Sequence, residues 1–243
     1  MSEKVFLAGA TGAIGTALVP LLINSRCVVY GTTRRPERAR ALEAKGVTPV
    51  VLDVFDSVAL TSALMRISPT SVIHQLTDLP PRLDPAQMAE AMVRNARIRT
   101  DGTRNLVAAA LAAGCRRLVA QSIAWAYAPG IKPYTEDHPL DLSAEGTRSI
   151  TVSGVTALEQ LTLGASALVG TVLRYGRLYG PGTARAEPAG EIPVHVEAAA
   201  WAALLAVQRS PGGIFNITDD NPDVSSAKAD RTSFTPPSLH PSR

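Results

Sequence analysis

The chain predicts an α/β fold, a doubly wound parallel sheet with helices on both faces. Two observations carry that prediction. Short apolar, β-branched segments alternate with amphipathic stretches at the spacing of βαβ units. The first such segment, residues 5–8, runs directly into the glycine-rich turn Gly9-Ala10-Thr11-Gly12-Ala13-Ile14-Gly15, and apolar residues at helical spacing follow. At 243 residues, 46% hydrophobic and 19% charged, the chain is long enough to bury a sizeable core.

Taken in order, strands are expected at residues 5–8, 27–32, 48–52, 71–74, 117–121, 170–174 and 214–217. Helices are expected at 13–23, 36–45, 57–67, 85–113, 155–165 and 197–208. Pro36 and Pro85 suit first helical turns, where a missing N–H costs nothing, and Gly46 and Gly114 suit helix stops. Right-handed crossovers make the sheet doubly wound. Residues 128–150 lack periodicity and carry Pro129, Gly130, Pro133, Pro139 and Gly146, so they read as a long loop over one sheet edge. From Asn221 the composition turns to Ser, Pro and polar residues. Residues 1–220 therefore form the expected globular domain, and 221–243 a disordered tail.

The glycine turn points to a ligand class, a dinucleotide. Gly9 permits the tight turn, Gly12 lets the backbone approach a pyrophosphate, and Gly15 lets the helix pack close to the strand. Thr11, Ala13 and Ile14 complete the cradle, and the free N–H groups at the helix start face the phosphates. The second strand ends in Thr32-Thr33 and continues Arg34-Arg35, with no carboxylate within reach to accept from a ribose 2′-hydroxyl. Two planar guanidiniums suit a 2′-phosphate, so NADP is expected over NAD. The cluster Arg34, Arg35, Arg38 and Arg40 has no accompanying aromatics or basic tract, and the net charge is only +3, so no nucleic-acid partner is expected. No apolar run approaches the ~20 residues of a membrane span. Met-Ser-Glu-Lys leads straight into the first strand, which argues against a signal peptide and for the cytoplasm. Cys27 and Cys115 read as two buried reduced thiols, and no metal-ligand spacing is present.

Further segments carry a resemblance. They are Leu52-Asp53-Val54, Ser71-Val72-Ile73-His74, Asp101-Gly102-Thr103-Arg104-Asn105-Leu106, Leu173-Arg174-Tyr175-Gly176-Arg177-Leu178-Tyr179-Gly180-Pro181-Gly182, His195-Val196-Glu197 and Phe215-Asn216-Ile217. With the glycine turn they resemble the short-chain dehydrogenase/reductase superfamily, in its extended or atypical, epimerase/dehydratase-like branch, over residues 4–220. The resemblance implies a Rossmann-type domain in which Asp53 and Val54 contact the adenine, Leu76 and Thr77 border the ribose, and Tyr175 lies near the nicotinamide. It also implies a homodimer through the helices at 85–113 and 155–165.

The same resemblance implies a catalytic Tyr, a nearby Lys that lowers its pKa, and a Ser or Thr on the substrate oxygen. Aligned on Leu158-Glu159, the Tyr position falls on Thr151 and the Lys position on Val155, and neither can perform that chemistry. Counting back from Tyr127 puts Ile123 at the Ser/Thr position, with Ser122 one residue early; Ala124 and Trp125 replace the acidic pair of the dehydratases. Arg99 stands where the extended branch usually has Asn. Only 12 residues separate Gly182 from His195, so the C-terminal substrate region is abbreviated. Ser122 and Tyr127 remain as candidate catalytic groups. Tyr134, His138 and Tyr179 also come from segments near strand carboxyl ends, and His195 is expected to cap a helix or pack. Two functions stay open. One is an atypical NADP-dependent oxidoreductase or epimerase-like enzyme, acting on a small carbonyl or hydroxyl substrate without the Tyr–Lys pair. The other is a non-catalytic NADP(H)-binding sensor or regulatory protein responding to a small-molecule signal.

Overall fold

The computed structural model describes residues 3–232. Its seven-stranded sheet is built from β1 (Lys4–Ala8), β2 (Val28–Thr33), β3 (Thr48–Val51), β4 (Ser71–His74), β5 (Arg117–Ile123), β6 (Val169–Tyr175) and a last strand, Gly213–Ile217. A separate two-stranded parallel pair, β7 (Arg177–Tyr179) and β8 (Pro193–His195), makes that last strand β9. The order is β3-β2-β1-β4-β5-β6-β9 and every pairing is parallel. The chain reverses its direction of winding between β1 and β4, and ligands bind outside the strand carboxyl ends at such a switch point.

The helices are α1 (Ala13–Asn24), α2 (Ala39–Glu43), α3 (Ser57–Ile67), α4 (Pro85–Arg97), α5 (Thr103–Ala112), α6 (Gly146–Gly164), α7 (Val196–Arg209) and α8 (Ala227–Arg231). Alternation along each strand decides which of them a side chain meets. Val5, Leu7, Ile73, Val119, Leu173 and Phe215 share a core with α1 and α7. Phe6, Ala8, Val72 and Leu118 share one with α3 and α5. The first-turn prolines and the stops stand as expected, with Gly46 and Gly114 at φ of 76° and 69°.

Several boundaries differ from the sequence expectation. The helix expected over 36–45 is a 3₁₀ turn, Pro36–Arg38, followed by the short α2. That over 85–113 is two helices joined by a π-turn, Ile98–Gly102. α6 begins at Gly146, inside the expected loop. Its first half, rich in Thr, Ser and Gly, has weak helix propensity, and tertiary packing overrides it. A Cβ on Gly154 would sit 3.0 Å from the Ala96 Cα, so this glycine lets α6 lie close against α4.

The loop before α6 is well tied. Arg148 bonds the Asp141 carboxylate at 2.7 Å and the carbonyls of Trp125 and Tyr127, and Tyr127 bridges Leu140. The tail expectation is corrected for residues 221–232. The Asn221 side chain accepts from the N–H groups of Asp223 and Val224, Val224 bridges Tyr134, and Val224 and Ala229 are buried. The rest of the expected tail, 233–243, lies outside the described residues.

Candidate active site

A cleft of about 540 Å³ opens at the carboxyl ends of β1, β2 and β4. Gly9, Thr11 and Gly12 form its floor. Gly9 holds φ of 97°, and a Cβ there would lie 2.7 Å from the Gln75 carbonyl oxygen. A Cβ on Gly15 would collide with the Gly9 oxygen, so this glycine sets the approach of α1 to the turn. At Gly12 the only neighbour of an added Cβ is the Gly9 oxygen at 3.4 Å, and the backbone is open toward the cleft. No side chain caps the start of α1, which leaves its first amides, those of Ala13, Ile14 and Gly15, for an anion.

Arg34, Arg35 and Arg38 line the cleft past the end of β2, beside Thr32 and Thr33. Leu52, Val54, Phe55, Ile98 and Leu106 give it an apolar wall, while Leu76, Thr77 and Asp78 lie along the opposite rim. Asp78 pairs loosely with Arg94 at 3.5 Å and Arg34 at 3.9 Å. At 53% exposure for Arg34, such a pair holds its side chain only weakly. Gln75, 5% exposed, also lines the cleft; neither atom of its amide makes a well-formed hydrogen bond among the described residues, and the Tyr175 hydroxyl is its polar neighbour. A buried amide left unpaired is costly, and a bound ligand would satisfy it. The glycine floor, uncapped helix, basic end, apolar wall and orphaned amide together fit a dinucleotide.

Two expected cofactor residues lie elsewhere. Asp53 is exposed and caps its own turn, its Oδ1 accepting from the Phe55 N–H at 3.0 Å, so it is not part of the cleft lining. Tyr175 is 1% exposed on the α7 face, and its hydroxyl donates to the Ala199 carbonyl at 3.1 Å. Phe55, Ile98, Gln75 and Asp78 are cleft residues that the sequence reading does not find. Gln75 carries one signal, a polar residue ending an apolar strand.

The catalytic candidates are also placed differently from expectation. Ser122 and Arg174 are even-numbered strand residues and face α6, where they meet Glu159. The Glu159 carboxylate accepts from Arg174 at 2.9 and 2.6 Å and from the Ser122 hydroxyl at 2.7 Å. Tyr127 places its ring 4.9 Å from the Arg174 guanidinium carbon and donates its hydroxyl to Asn216 at 2.6 Å. Burial raises the Tyr127 pKa above its ordinary value, against the opposing pull of Arg174. Neither Ser122 nor Tyr127 is among the cleft-lining residues. Thr151 donates to the Thr147 carbonyl of its own helix, and Val155 is fully buried. Tyr134 stacks on Tyr127 at 5.2 Å with His138 against its edge, and His195 caps α7.

One further group beside this network titrates unusually. His74 accepts from the Leu76 N–H through Nδ1, so Nε2 carries the proton shared with Thr103 at 3.1 Å. Burial, reinforced by the Arg99 charge, lowers its pKa from 6.5 to about 4. The folded state thus holds His74 neutral while the unfolded chain takes up a proton. Its contribution is full above pH 6.5 and is lost as pH falls toward about 4. We expect stability to drop by about 3 kcal/mol across that window, read from urea midpoints, and His74→Gln to flatten the drop.

Comparison with known proteins agrees with this geometry. Residues 5–209 match the family model described as NAD dependent epimerase/dehydratase family. A 3-diazoavenalumate denitrifying reductase from Streptomyces sp is 42% identical over 244 residues, covering 90% of this chain and 77% of the relative. A short-chain dehydrogenase/reductase superfamily protein from Agrobacterium tumefaciens with bound NAD superposes with TM-score 0.74 at 20% identity, covering 96% of this chain and 92% of that one. The Thermus thermophilus UDP-glucose 4-epimerase in complex with NAD gives 0.72 at 21% identity, covering 99% and 86%. Among the described residues no helix is long and apolar enough to cross a membrane. The chain belongs to the NAD dependent epimerase/dehydratase family and is an NAD(P)-dependent oxidoreductase or epimerase.

Proposed function

We propose that this protein is an NADPH-dependent reductase that replaces a diazo group with hydrogen on a small carboxylate. One observation carries the reading. The cofactor cleft is intact, while the positions of the family's acid/base pair hold Thr151 and Val155. Reduction of a carbonyl makes an alkoxide that needs a positioned proton donor. Loss of dinitrogen does not. When a diazonium carbon accepts a hydride, a C–H bond forms, the C–N bond breaks with its electrons leaving on nitrogen, and charge balances without any proton. The relative named as a denitrifying reductase of a diazo acid supports this class of substrate.

The chain's own residues bind and orient. The Gly9–Gly15 turn and the start of α1 hold the pyrophosphate, and the apolar wall of Val54, Phe55 and Ile98 takes the adenine. Arg34, Arg35 and Arg38 meet the 2′-phosphate, and Gln75 pairs its amide with the inner end of the ligand. Bound there, the reduced nicotinamide supplies the hydride. With donor and acceptor held side by side, the chain would need to supply neither acid nor base.

The test is consumption of NADPH with an arenediazonium carboxylate set against a panel of aldehydes and ketones. Turnover of the diazonium alone, with dinitrogen released, is expected; carbonyl reduction without diazonium turnover would refute the reading. In a parallel calorimetric titration, Arg34→Ala should weaken NADPH roughly 10–100-fold and leave NADH unchanged. Equal effects on both cofactors would remove the phosphate assignment.

A further inference from the structure

Gln75 follows β4 directly, and its backbone is pinned twice. Its N–H donates to the Ala8 carbonyl at 2.8 Å, and its own carbonyl oxygen lies 2.7 Å from where a Cβ on Gly9 would fall. The side chain has no such anchor. Both polar atoms of its amide are buried, and neither makes a well-formed hydrogen bond among the described residues. The neighbouring Tyr175 hydroxyl gives its proton to the Ala199 carbonyl and so offers no donor to the Gln75 Oε1. As an odd-numbered residue, Gln75 continues the face of Ile73 toward α1 and α7, and it lines the cleft. A buried amide with an unused donor and an unused acceptor is costly to keep. With the backbone fixed, a turn of the side-chain torsions is what brings that amide to a ligand in the cleft.

Its position along the cleft selects the group it meets. The sheet order places β2 on one side of β1 and β4 on the other. Arg34, Arg35 and Arg38 stand past the end of β2, and the glycine turn after β1 takes the pyrophosphate. The half of the dinucleotide beyond the pyrophosphate therefore falls on the β4 side, where Gln75 is. A phosphate offers only acceptors and would leave Oε1 alone. A primary carboxamide offers an acceptor and an NH₂ donor, and pairs with both atoms of the Gln75 amide at once. We propose that Gln75 recognises the carboxamide of the nicotinamide ring, accepting from its NH₂ through Oε1 and donating to its oxygen through Nε2. The inference rests on the NADPH reading of this cleft and not on the diazo substrate.

The test is calorimetric titration of the full chain, parent and Gln75→Leu, with NADP⁺ and two probes. One is its 3-acetylpyridine analogue, in which a methyl replaces the carboxamide NH₂; the other is 2′-phospho-ADP-ribose, which lacks the nicotinamide. The parent should bind NADP⁺ roughly 10-fold more tightly than the analogue, which cannot donate to Oε1. Gln75→Leu should weaken NADP⁺ by a similar factor, abolish the preference, and leave 2′-phospho-ADP-ribose affinity unchanged. A parent with no preference, or a variant that keeps it, would overturn the assignment. Equal weakening of NADP⁺ and 2′-phospho-ADP-ribose would also overturn it, by placing Gln75 on the ribose or the pyrophosphate. Ligand-free Gln75→Leu should match or exceed the parent in urea midpoint, because an unpaired buried amide is removed. A clear fall would make the amide a structural partner of Tyr175 and overturn the assignment too. A parent that binds none of the three compounds would refute the cofactor reading itself. One that binds 2′-phospho-ADP-ribose but does not distinguish NADP⁺ from its analogue would refute this inference alone.

Discussion

Glu159→Gln is expected to lose about 3–5 kcal/mol of stability, measured as a shift in the urea unfolding midpoint. The Arg174 and Glu159 side chains are 3% and 6% exposed, and their contact is bidentate, with the nearest pair at 2.6 Å. Burial alone would lower the Arg174 pKa, yet the Glu159 carboxylate more than reverses that and holds it raised. Neutralising Glu159 strands the Arg174 charge and leaves Arg99 without its acidic neighbour, while the one carbonyl oxygen of a glutamine must serve both Ser122 and Arg174. Replacing both partners together, as in Glu159→Leu with Arg174→Met, should cost much less than Glu159→Gln, because no charge is then left alone. If the single and double variants lose stability equally, the pair is not the element that holds β5, β6 and α6 together.

Gly15→Ala is expected to abolish NADPH binding and to destabilise the fold by about 1–3 kcal/mol, through overpacking where the structure has no give. The added methyl would meet backbone on two sides, colliding with the Gly9 oxygen and lying 2.8 Å from the Ala10 Cα. Backbone cannot rotate away as a side chain can, so α1 must shift and carry its first-turn amides with it. Gly12→Ala provides the contrast. It has room in the free protein and should keep nearly full stability, but its methyl projects where the pyrophosphate approaches, so binding should weaken. Calorimetry and unfolding on both variants separate the two roles, and a Gly15→Ala protein with parent-like binding would contradict this account of the turn.

The seven strands of the sheet are legible because parallel strands buried on both faces read as short apolar runs bounded by turn residues. The glycine turn is legible for a sharper reason, since each of its glycines answers a separate steric demand. The first half of α6 is not legible, because Thr, Ser and Gly give no helical signal and packing against Ala96 supplies what propensity lacks. β7 and β8 are three residues each, too short to show a period; only Gly176, whose Cβ would fall 2.5 Å from the Ile192 oxygen, hints at their close approach. Counting along a motif makes Ser122 and Tyr127 site residues. Strand parity instead turns Ser122 toward Glu159, and no count along the chain reveals that the carboxylate is there. Gln75 leaves a trace, a polar residue set into an apolar pattern, yet only the structure shows that its buried amide makes no well-formed hydrogen bond among the described residues.

The central claim is that hydride replaces dinitrogen with no proton supplied by the protein. It is tested most directly by turning over an arenediazonium carboxylate in ordinary water with NADPH deuterated at the transferred position. The account predicts one deuterium on the carbon that carried nitrogen, with one dinitrogen released per NADPH consumed. A product whose new hydrogen comes from solvent, or one that keeps its nitrogen as a hydrazine or amine, would contradict it.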